Sequence, residues 1–126
     1  MKGILLFGHG ARNPEWAKPF HLIRDAILAR DPAALVEPGF LELLRPTFDE
    51  GVACLVNQGA TEIIVVPIFM AAGSHVKKDL PQMAANAMDR HEGLVIELAA
   101  PVGEAAPVLA AMADYAMNAG RDSLNR

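Results

Sequence analysis

Two histidines stand beside glycines at the ends of apolar runs. Residues 8–10 read Gly-His-Gly and residues 73–75 read Gly-Ser-His. Glycine lets the backbone turn tightly and lets a ligand come close. Neutral imidazole binds cobalt, nickel, iron and zinc, and it takes up and releases protons near neutral pH. The types and positions of His9 and His75 therefore predict metal handling combined with proton transfer.

Each histidine alone also has an ordinary structural explanation. His9 can be a polar residue of a tight turn, and His75 can belong to a loop in which Ser74 caps the next helix. Two histidines in equivalent loops of one sheet are harder to explain in this way. Because no cysteine lies near either histidine, we expect weak, transient metal binding instead of a structural metal site.

Five charged residues flank the same loops. Glu42 follows the second apolar run and is either a site group or an exposed carboxylate at the start of a helix. Arg12, Arg45, Lys77 and Lys78 could make the region locally positive and suit an anionic ligand. The alternative is that they are solvated surface charges, which we favour for the two lysines.

Four apolar runs predict the strands that position these loops. Continuous runs are typical of strands buried on both faces, as in a parallel sheet. The runs are Ile4–Phe7, Leu35–Leu41, Ile63–Phe69 and Leu94–Leu98. Strands that alternate with helices predict an α/β fold with right-handed crossovers. If strands one and three are neighbours, as in a flavodoxin-like order, the two imidazoles converge on one cleft.

Apolar residues at helical spacing predict four helices. The stripes are Trp16–Ile27, Phe48–Val56, Leu80–Met88 and Val108–Ala116. We expect Pro46 in the first turn of the second helix, and helix ends at Gly59, Gly93 and Gly120. Cys54 is expected as a small core or helix residue. The methionines within these stripes are expected in the core: Met83, Met88 and Met112.

The composition of the chain excludes several classes of protein. The 126 residues are 52% hydrophobic and 21% charged, which excludes a disordered chain. One domain, residues 1–120, is expected, with a polar tail at 121–126. A net charge of -4 argues against nucleic-acid binding, and one cysteine excludes an internal disulfide. Because no apolar run is long enough for a signal peptide or membrane span, we expect no membrane partner and a cytoplasmic location.

Several familiar motifs are incomplete. Asn13 replaces the third glycine of a dinucleotide fingerprint, and Ser74 lacks the context of a nucleophile elbow. A histidine phosphatase would have arginine before His9, where this chain has Gly8. Two other classes stay open as alternatives. One is a nucleotide- or phosphate-using α/β enzyme, and the other is a metal or tetrapyrrole carrier without turnover.

Three blocks of the chain together resemble the CbiX/SirB-type sirohydrochlorin chelatases. Residues 7–12 resemble their GHGSR motif, with Ala11 in place of the usual serine. Residues 40–46 resemble the second block, and residues 66–81 resemble the third, with Met70 in place of a common leucine. The blocks cover most of the first two-thirds of the chain in the family's order and spacing. The chain resembles the short, single-lobe form of the family.

The resemblance implies a small chelatase-like, parallel four-stranded sheet with helices on both faces. It implies a class II chelatase that inserts a divalent metal, with Co²⁺ favoured and Ni²⁺ or Fe²⁺ as alternatives, into sirohydrochlorin without ATP. No cofactor beyond this metal substrate is expected. The family's two metal-site histidines fall on His9 and His75, which are expected to be catalytic. The residues expected to contact the substrate are Gly8, Gly10, Arg12, Glu42, Gly73 and Ser74.

A single lobe offers one wall to a wide, flat macrocycle. We therefore expect a homodimer with a shared cleft, related by a two-fold axis.

Overall fold

A computed structural model describes the backbone of residues 1–124 and the side chains of residues 1–120. The strands and helices alternate along the chain as the apolar pattern predicts. The strands are β1 (Lys2–Gly8), β2 (Leu35–Phe40), β3 (Glu62–Pro67) and β4 (Val95–Leu98). The helices are α1 (Lys18–Arg30), α2 (Phe48–Asn57), α3 (Ser74–Arg90) and α4 (Ala106–Leu124). Two short 3-10 turns cover Pro14–Ala17 and Val102–Glu104.

The four strands form one parallel sheet in the order β2-β1-β3-β4. Leu6 of β1 is paired with Pro38 of β2 on one side and with Val66 of β3 on the other. The predicted neighbourhood of strands one and three is thereby confirmed. Because parallel strands all end at one edge, the segments after β1, β2 and β3 share the carboxyl edge of the sheet.

Alternate residues of β1 supply the cores on the two sides of the sheet. Leu5 and Phe7 belong to the core that α2 and α3 cover, where the Phe7 ring lies edge-on to Phe48 at a centroid distance of 5.8 Å. Leu6 belongs to the core that α1 covers, together with Phe20. Helices therefore lie on both sides of the sheet, as expected.

Two predicted helix boundaries are wrong and two are confirmed. Pro46 precedes the N-cap Thr47, so it lies outside the first turn of α2. Gly120 lies inside α4, which continues to Leu124. Gly59 and Gly93 follow α2 and α3 with positive φ angles of 108° and 80°, as glycines that end helices commonly do.

Several residues expected in the core are exposed. The Trp16 side chain is 65% exposed because it lies in a 3-10 turn ahead of α1, not on the inner face of that helix. Cys54 was expected in the core or in a helix, and it is an exposed residue of α2. Met112 and Tyr115 of α4 are exposed, whereas Met83 of α3 packs against the core as expected.

The predicted polar tail at 121–126 begins within α4, and residues 125 and 126 lie outside the described residues. Among the helices of the described chain, none has an apolar stretch of the length that crossing a bilayer requires.

Candidate functional site

The segments after β1 and β2 are joined by main-chain hydrogen bonds. The Leu41 N–H donates to the Gly8 carbonyl at 2.9 Å, and the Glu42 N–H donates to the His9 carbonyl at 3.2 Å. These bonds extend the pairing of β1 and β2 beyond their ends. They place the His9 and Glu42 side chains beside each other, so two predicted site residues meet.

Gly8 and Gly10 both have steric reasons to be glycine. Gly10 has a φ of 99°, and a Cβ there would lie 1.8 Å from the Glu42 carbonyl oxygen. A Cβ at Gly8 would lie 2.4 Å from a ring carbon of Phe20. The glycines expected to contact the substrate thus also let the two segments and α1 approach one another.

The first imidazole is paired with a carboxylate from the neighbouring segment. His9 Nε2 lies 3.4 Å from Glu42 Oε1, and both side chains are 56% exposed. When Nε2 carries a proton, its N–H can donate to the Glu42 carboxylate. This hydrogen bond orients the ring and leaves Nδ1 available to another partner. Because Glu42 follows β2 and His9 follows β1, the pairing of these two strands sets the position of Glu42 relative to His9.

The second imidazole is paired within one helix. His75 is the second residue of α3, and its Nε2 lies 3.1 Å from Asp79 Oδ2 one turn later. The His75 side chain is 85% exposed. The alternative in which Ser74 caps the helix is excluded, because Gly73 is the N-cap and Ser74 is the first helical residue. A Cβ at Gly73 would meet no atom within 4 Å, so Gly73 lies against open space.

An aromatic cavity of about 290 Å³ opens beside His9. Its aromatic lining residues are Trp16, Phe20, Phe40 and Phe69, and its aliphatic ones include Leu44 and Ile68. A smaller apolar cavity of about 150 Å³ lies on the α3 side, and Phe69 lines both. Phe20 and Phe40 are buried, so the exposed Trp16 offers the accessible aromatic face, and such a face suits a flat, conjugated ligand.

His9 and His75 share the carboxyl edge of the sheet, but they do not share a cavity. His75 is absent from the residues that line the cavity beside His9. Among the described residues, no three His, Cys, Asp or Glu side chains are grouped as a metal site. One copy of the chain therefore offers two separate imidazole–carboxylate pairs, an arrangement that suits loose metal binding more than a structural site.

Arg45 is engaged by a carboxylate of α2. Its guanidinium binds Glu50 through Nε and Nη2, and the Nε contact is 3.1 Å. The hydrogen bond from Arg45, followed by that from the Thr47 N–H, lowers the pKa of Glu50 to about 2. Arg45 is thus already paired, whereas the Arg12 side chain is exposed in the segment after β1.

Three residues at this edge of the sheet were not among the predicted site residues. Trp16 and Leu44 line the cavity, but their placement depends on segments outside regular helices and strands. Asp79 partners His75, and the spacing of four residues within a helix is the signal that could have identified it.

The chain belongs to the CbiX family, whose model matches residues 3–119. It is 38% identical over 103 residues to the sirohydrochlorin cobaltochelatase of Sulfurisphaera tokodaii, which covers 82% of this chain and 81% of that protein. It is 35% identical over 92 residues to the sirohydrochlorin cobaltochelatase of Methanocaldococcus jannaschii. That match covers 73% of this chain and spans 64% of the M. jannaschii protein, less than two-thirds of its length.

Two solved structures share the fold. A putative cobalamin biosynthesis CbiX protein from Marinobacter aquaeolei superposes with a TM-score of 0.83 and 29% identity, covering 97% of this chain and 99% of that one. The sirohydrochlorin chelatase SirB from Bacillus subtilis, in complex with cobalt, superposes with a TM-score of 0.70 and 34% identity. That match covers 80% of this chain and 43% of the SirB chain. The predicted α/β chelatase-like fold is thereby confirmed.

Proposed function

We propose that this chain inserts a divalent metal ion, with Co²⁺ favoured, into sirohydrochlorin without ATP. The observation that carries the proposal is the His9–Glu42 pair beside an aromatic cavity, in a chain of the CbiX family. The relatives named sirohydrochlorin cobaltochelatase and the cobalt complex of SirB support both the macrocycle and the metal.

Metal insertion exchanges one divalent ion for two pyrrole N–H protons. The ion must lose water ligands, and the two protons must pass to acceptors. An imidazole can hold the ion through a ring nitrogen and then take up a proton once the ion has moved to the macrocycle. We assign this shared role to His9 and His75. Glu42 and Asp79 orient the two rings and stabilise the positive charge that each ring gains.

The remaining predicted site residues act on the macrocycle. Arg12 is exposed in the segment after β1 and is placed to attract the carboxylates of sirohydrochlorin. Gly73 and Ser74 begin α3 beside open space, which lets the macrocycle approach His75. Gly8 and Gly10 let the His9 segment pack against Phe20 and the Glu42 carbonyl, which sets the position of His9. Co²⁺ is a substrate here, and exchanging it for two protons is balanced in charge without electron or group transfer, so we expect no further cofactor.

The size of the cavity supports a cleft shared by two copies. Ligand pockets usually measure about 300–1,000 Å³ and enclose most of their ligand. One copy offers about 290 Å³, which is small for a tetrapyrrole. We propose a two-fold homodimer in which each copy supplies one wall, His9 and His75. We place the reaction in the cytoplasm, where an exposed thiol such as Cys54 stays reduced.

An anaerobic insertion assay tests the activity. The purified protein is mixed with sirohydrochlorin and Co²⁺, and the visible spectrum is followed against a protein-free control, then again with Ni²⁺ and Fe²⁺. We expect protein-dependent acceleration with many turnovers. A spectral change that stops at one equivalent would assign a carrier instead. No change with any metal, together with binding of a nucleotide or phosphate ester, would favour the other enzyme class.

A further inference from the structure

Trp16 is an exposed aromatic residue beside the candidate site. It is the single tryptophan of the chain, its side chain is 65% exposed, and it lines the cavity that His9 and Gly10 also line. Tryptophan is a large side chain that proteins usually bury over most of its surface. A lone exposed apolar residue needs no explanation, but one that lines a cavity beside a candidate catalytic group marks a contact for a ligand.

The other aromatic residues of this cavity already have aromatic partners. The Phe20 and Phe40 rings pack edge-on to each other with their centroids 4.9 Å apart. The Phe69 ring packs in the same way on Phe7, at a centroid distance of 5.7 Å. Among the described residues, no such partner accompanies Trp16. Its indole is therefore the aromatic surface of the cavity that is free to stack on a ligand.

The turn that carries Trp16 is held in one conformation. Asn13 is its N-cap: the Asn13 carbonyl accepts the Trp16 N–H at 3.1 Å, and Oδ1 accepts the Glu15 N–H at 3.0 Å. Pro14 begins the turn and Pro19 follows it in α1, and each fixes its own φ. Because this backbone is ordered before a ligand arrives, little backbone entropy is lost when the indole is used for binding.

We propose that Trp16 stacks on one face of the macrocycle and thereby favours flat, conjugated macrocycles over puckered, reduced ones. The inference rests on the proposed function, and it names the residue that recognises the ring system of the substrate. Since His9 lines the same cavity, a macrocycle that lies on the indole is held beside this imidazole. Trp16 is then a binding residue, and His9 remains the acid–base group.

The shape of the macrocycle decides how much of the indole it covers. A conjugated tetrapyrrole has a continuous flat face, which can lie parallel to the indole in an offset stack. A tetrapyrrole with saturated bridges between its rings is puckered, so it covers less of the indole. Both forms carry the same carboxylates, which an exposed cation such as Arg12 attracts equally. Stacking on Trp16 therefore distinguishes ligands that charge alone does not.

Stacking of this kind acts on binding and leaves the chemical step unchanged. The indole contacts the macrocycle both before and during metal insertion, and such uniform binding lowers KM without raising kcat. We expect Trp16→Ala to raise the dissociation constant and the KM for sirohydrochlorin by about tenfold, within the range that aromatic stacking supplies. The kcat should stay within about twofold of the wild-type value.

Three substitutions separate stacking from the loss of exposed apolar surface. Trp16→Ala removes the indole, Trp16→Phe keeps a smaller flat ring, and Leu22→Ala is the matched control. Leu22 is a 57% exposed residue of α1 and is absent from the residues that line the cavity. Anaerobic titration calorimetry measures the dissociation constant for metal-free sirohydrochlorin, and circular dichroism confirms the fold of each variant. Trp16→Phe should lie between the wild type and Trp16→Ala, whereas Leu22→Ala should match the wild type.

A charge-matched pair of ligands tests the selection for flat macrocycles. Uroporphyrin is conjugated and flat, and uroporphyrinogen is its reduced, puckered form with the same carboxylate side chains. We expect the wild type to bind uroporphyrin about tenfold more tightly than uroporphyrinogen, and Trp16→Ala to bind both about equally. A wild type that does not prefer uroporphyrin would overturn the selection. So would a preference that persists in Trp16→Ala, because another group would then cause it.

Nuclear magnetic resonance tests the contact itself. Because the chain has one tryptophan, its indole N–H gives one signal in a proton–nitrogen correlation spectrum. The ring current of metal-free sirohydrochlorin shifts the signals of protons over its face upfield, and this shift falls steeply with distance. We expect an upfield shift of the indole signal when the wild type is saturated. An indole signal that does not move while sirohydrochlorin is bound would overturn the stacking.

The stacking and the proposed activity fail separately. Metal insertion with an unchanged KM in Trp16→Ala would refute the stacking and leave the activity standing. Sirohydrochlorin binding that depends on Trp16 but gives no insertion of Co²⁺ would refute the activity and leave the stacking as a property of a carrier. Absence of sirohydrochlorin binding to the wild type would overturn both.

Discussion

The two imidazoles of the candidate site are positioned in different ways. His9 is held by the sheet, because its carboxylate partner comes from a neighbouring strand end that main-chain hydrogen bonds join to it. His75 is held by one helix, because Asp79 lies one turn away on α3. His9 lies beside the aromatic cavity, whereas His75 is more exposed. We therefore propose that, within the role the two imidazoles share, His9 is the more fixed group and His75 the more accessible one.

Loss of either imidazole should slow metal insertion more than any other substitution considered below. We expect His9→Ala and His75→Ala each to lower kcat/KM for Co²⁺ insertion by about 10²-fold or more, the usual contribution of a positioned acid–base group. Since both side chains are exposed, circular dichroism and the melting temperature should stay close to those of the wild type. Wild-type rates in both variants would end the assignment of the two histidines.

Gly10 and Gly73 lie beside the two imidazole–carboxylate pairs, and we expect substitution of Gly10 to be the more harmful. Gly10→Ala places a Cβ against the Glu42 carbonyl at a positive φ, so we expect a loss of more than about 1 kcal/mol in unfolding free energy. Insertion should also slow by about tenfold, because His9 and Glu42 move apart. Denaturant unfolding and the insertion assay measure both.

Gly73→Ala is the matched comparison. Its Cβ would meet open space at an ordinary φ, so only the poorer N-cap preference of alanine acts, and stability should fall by less than in Gly10→Ala. If Gly73→Ala destabilises the chain as much as Gly10→Ala, the steric account of the two glycines is wrong.

The third effect compares the two carboxylates. Glu42→Gln should slow insertion by about tenfold, because second-shell partners of metal-binding histidines commonly matter to that extent. Asp79→Asn should slow it by less, about threefold, because His75 is highly exposed and water can replace its partner. The rates are measured at fixed Co²⁺ concentration. Equal losses in the two variants would remove the distinction between the fixed and the accessible imidazole.

The strands and the positions of the two histidine segments are predictable from the sequence. The start of α2 and the exposure of α4 were not predicted, for physical reasons. The buried strands were predicted because continuous apolar runs are local signals, and the segments of His9 and His75 follow from where those runs end. Pro46 was misplaced because the capping box of Thr47 and Glu50 sets the start of α2. The exposure of Met112 was missed because an apolar stripe marks an apolar face of a helix without showing whether that face is buried.

The smallest effect concerns the connection between Glu42 and α2. This connection ends at the N-terminus of α2, where Thr47 and Glu50 form a capping box. Thr47→Ala should lower the unfolding free energy by about 1 kcal/mol. Because Glu50 has its pKa lowered from 4.5 to about 2, the stability it contributes is present above pH 4.5 and is lost as the pH falls towards 2.

Thermal unfolding of Glu50→Gln at several pH values checks the sign. The variant should be less stable than the wild type at pH 7, and the difference should shrink as the pH falls below 4.5. A difference that stays constant down to pH 2 would contradict the carboxylate's role in this cap.

A double-mutant cycle on kcat/KM for anaerobic Co²⁺ insertion tests whether His9 and His75 serve one reaction. It compares the wild type, His9→Ala, His75→Ala and the double variant. If both imidazoles serve one reaction at one cleft, the double variant should be little slower than the slower single variant, because groups that act as a unit are strongly non-additive. Losses that multiply would show that the two histidines act at independent sites.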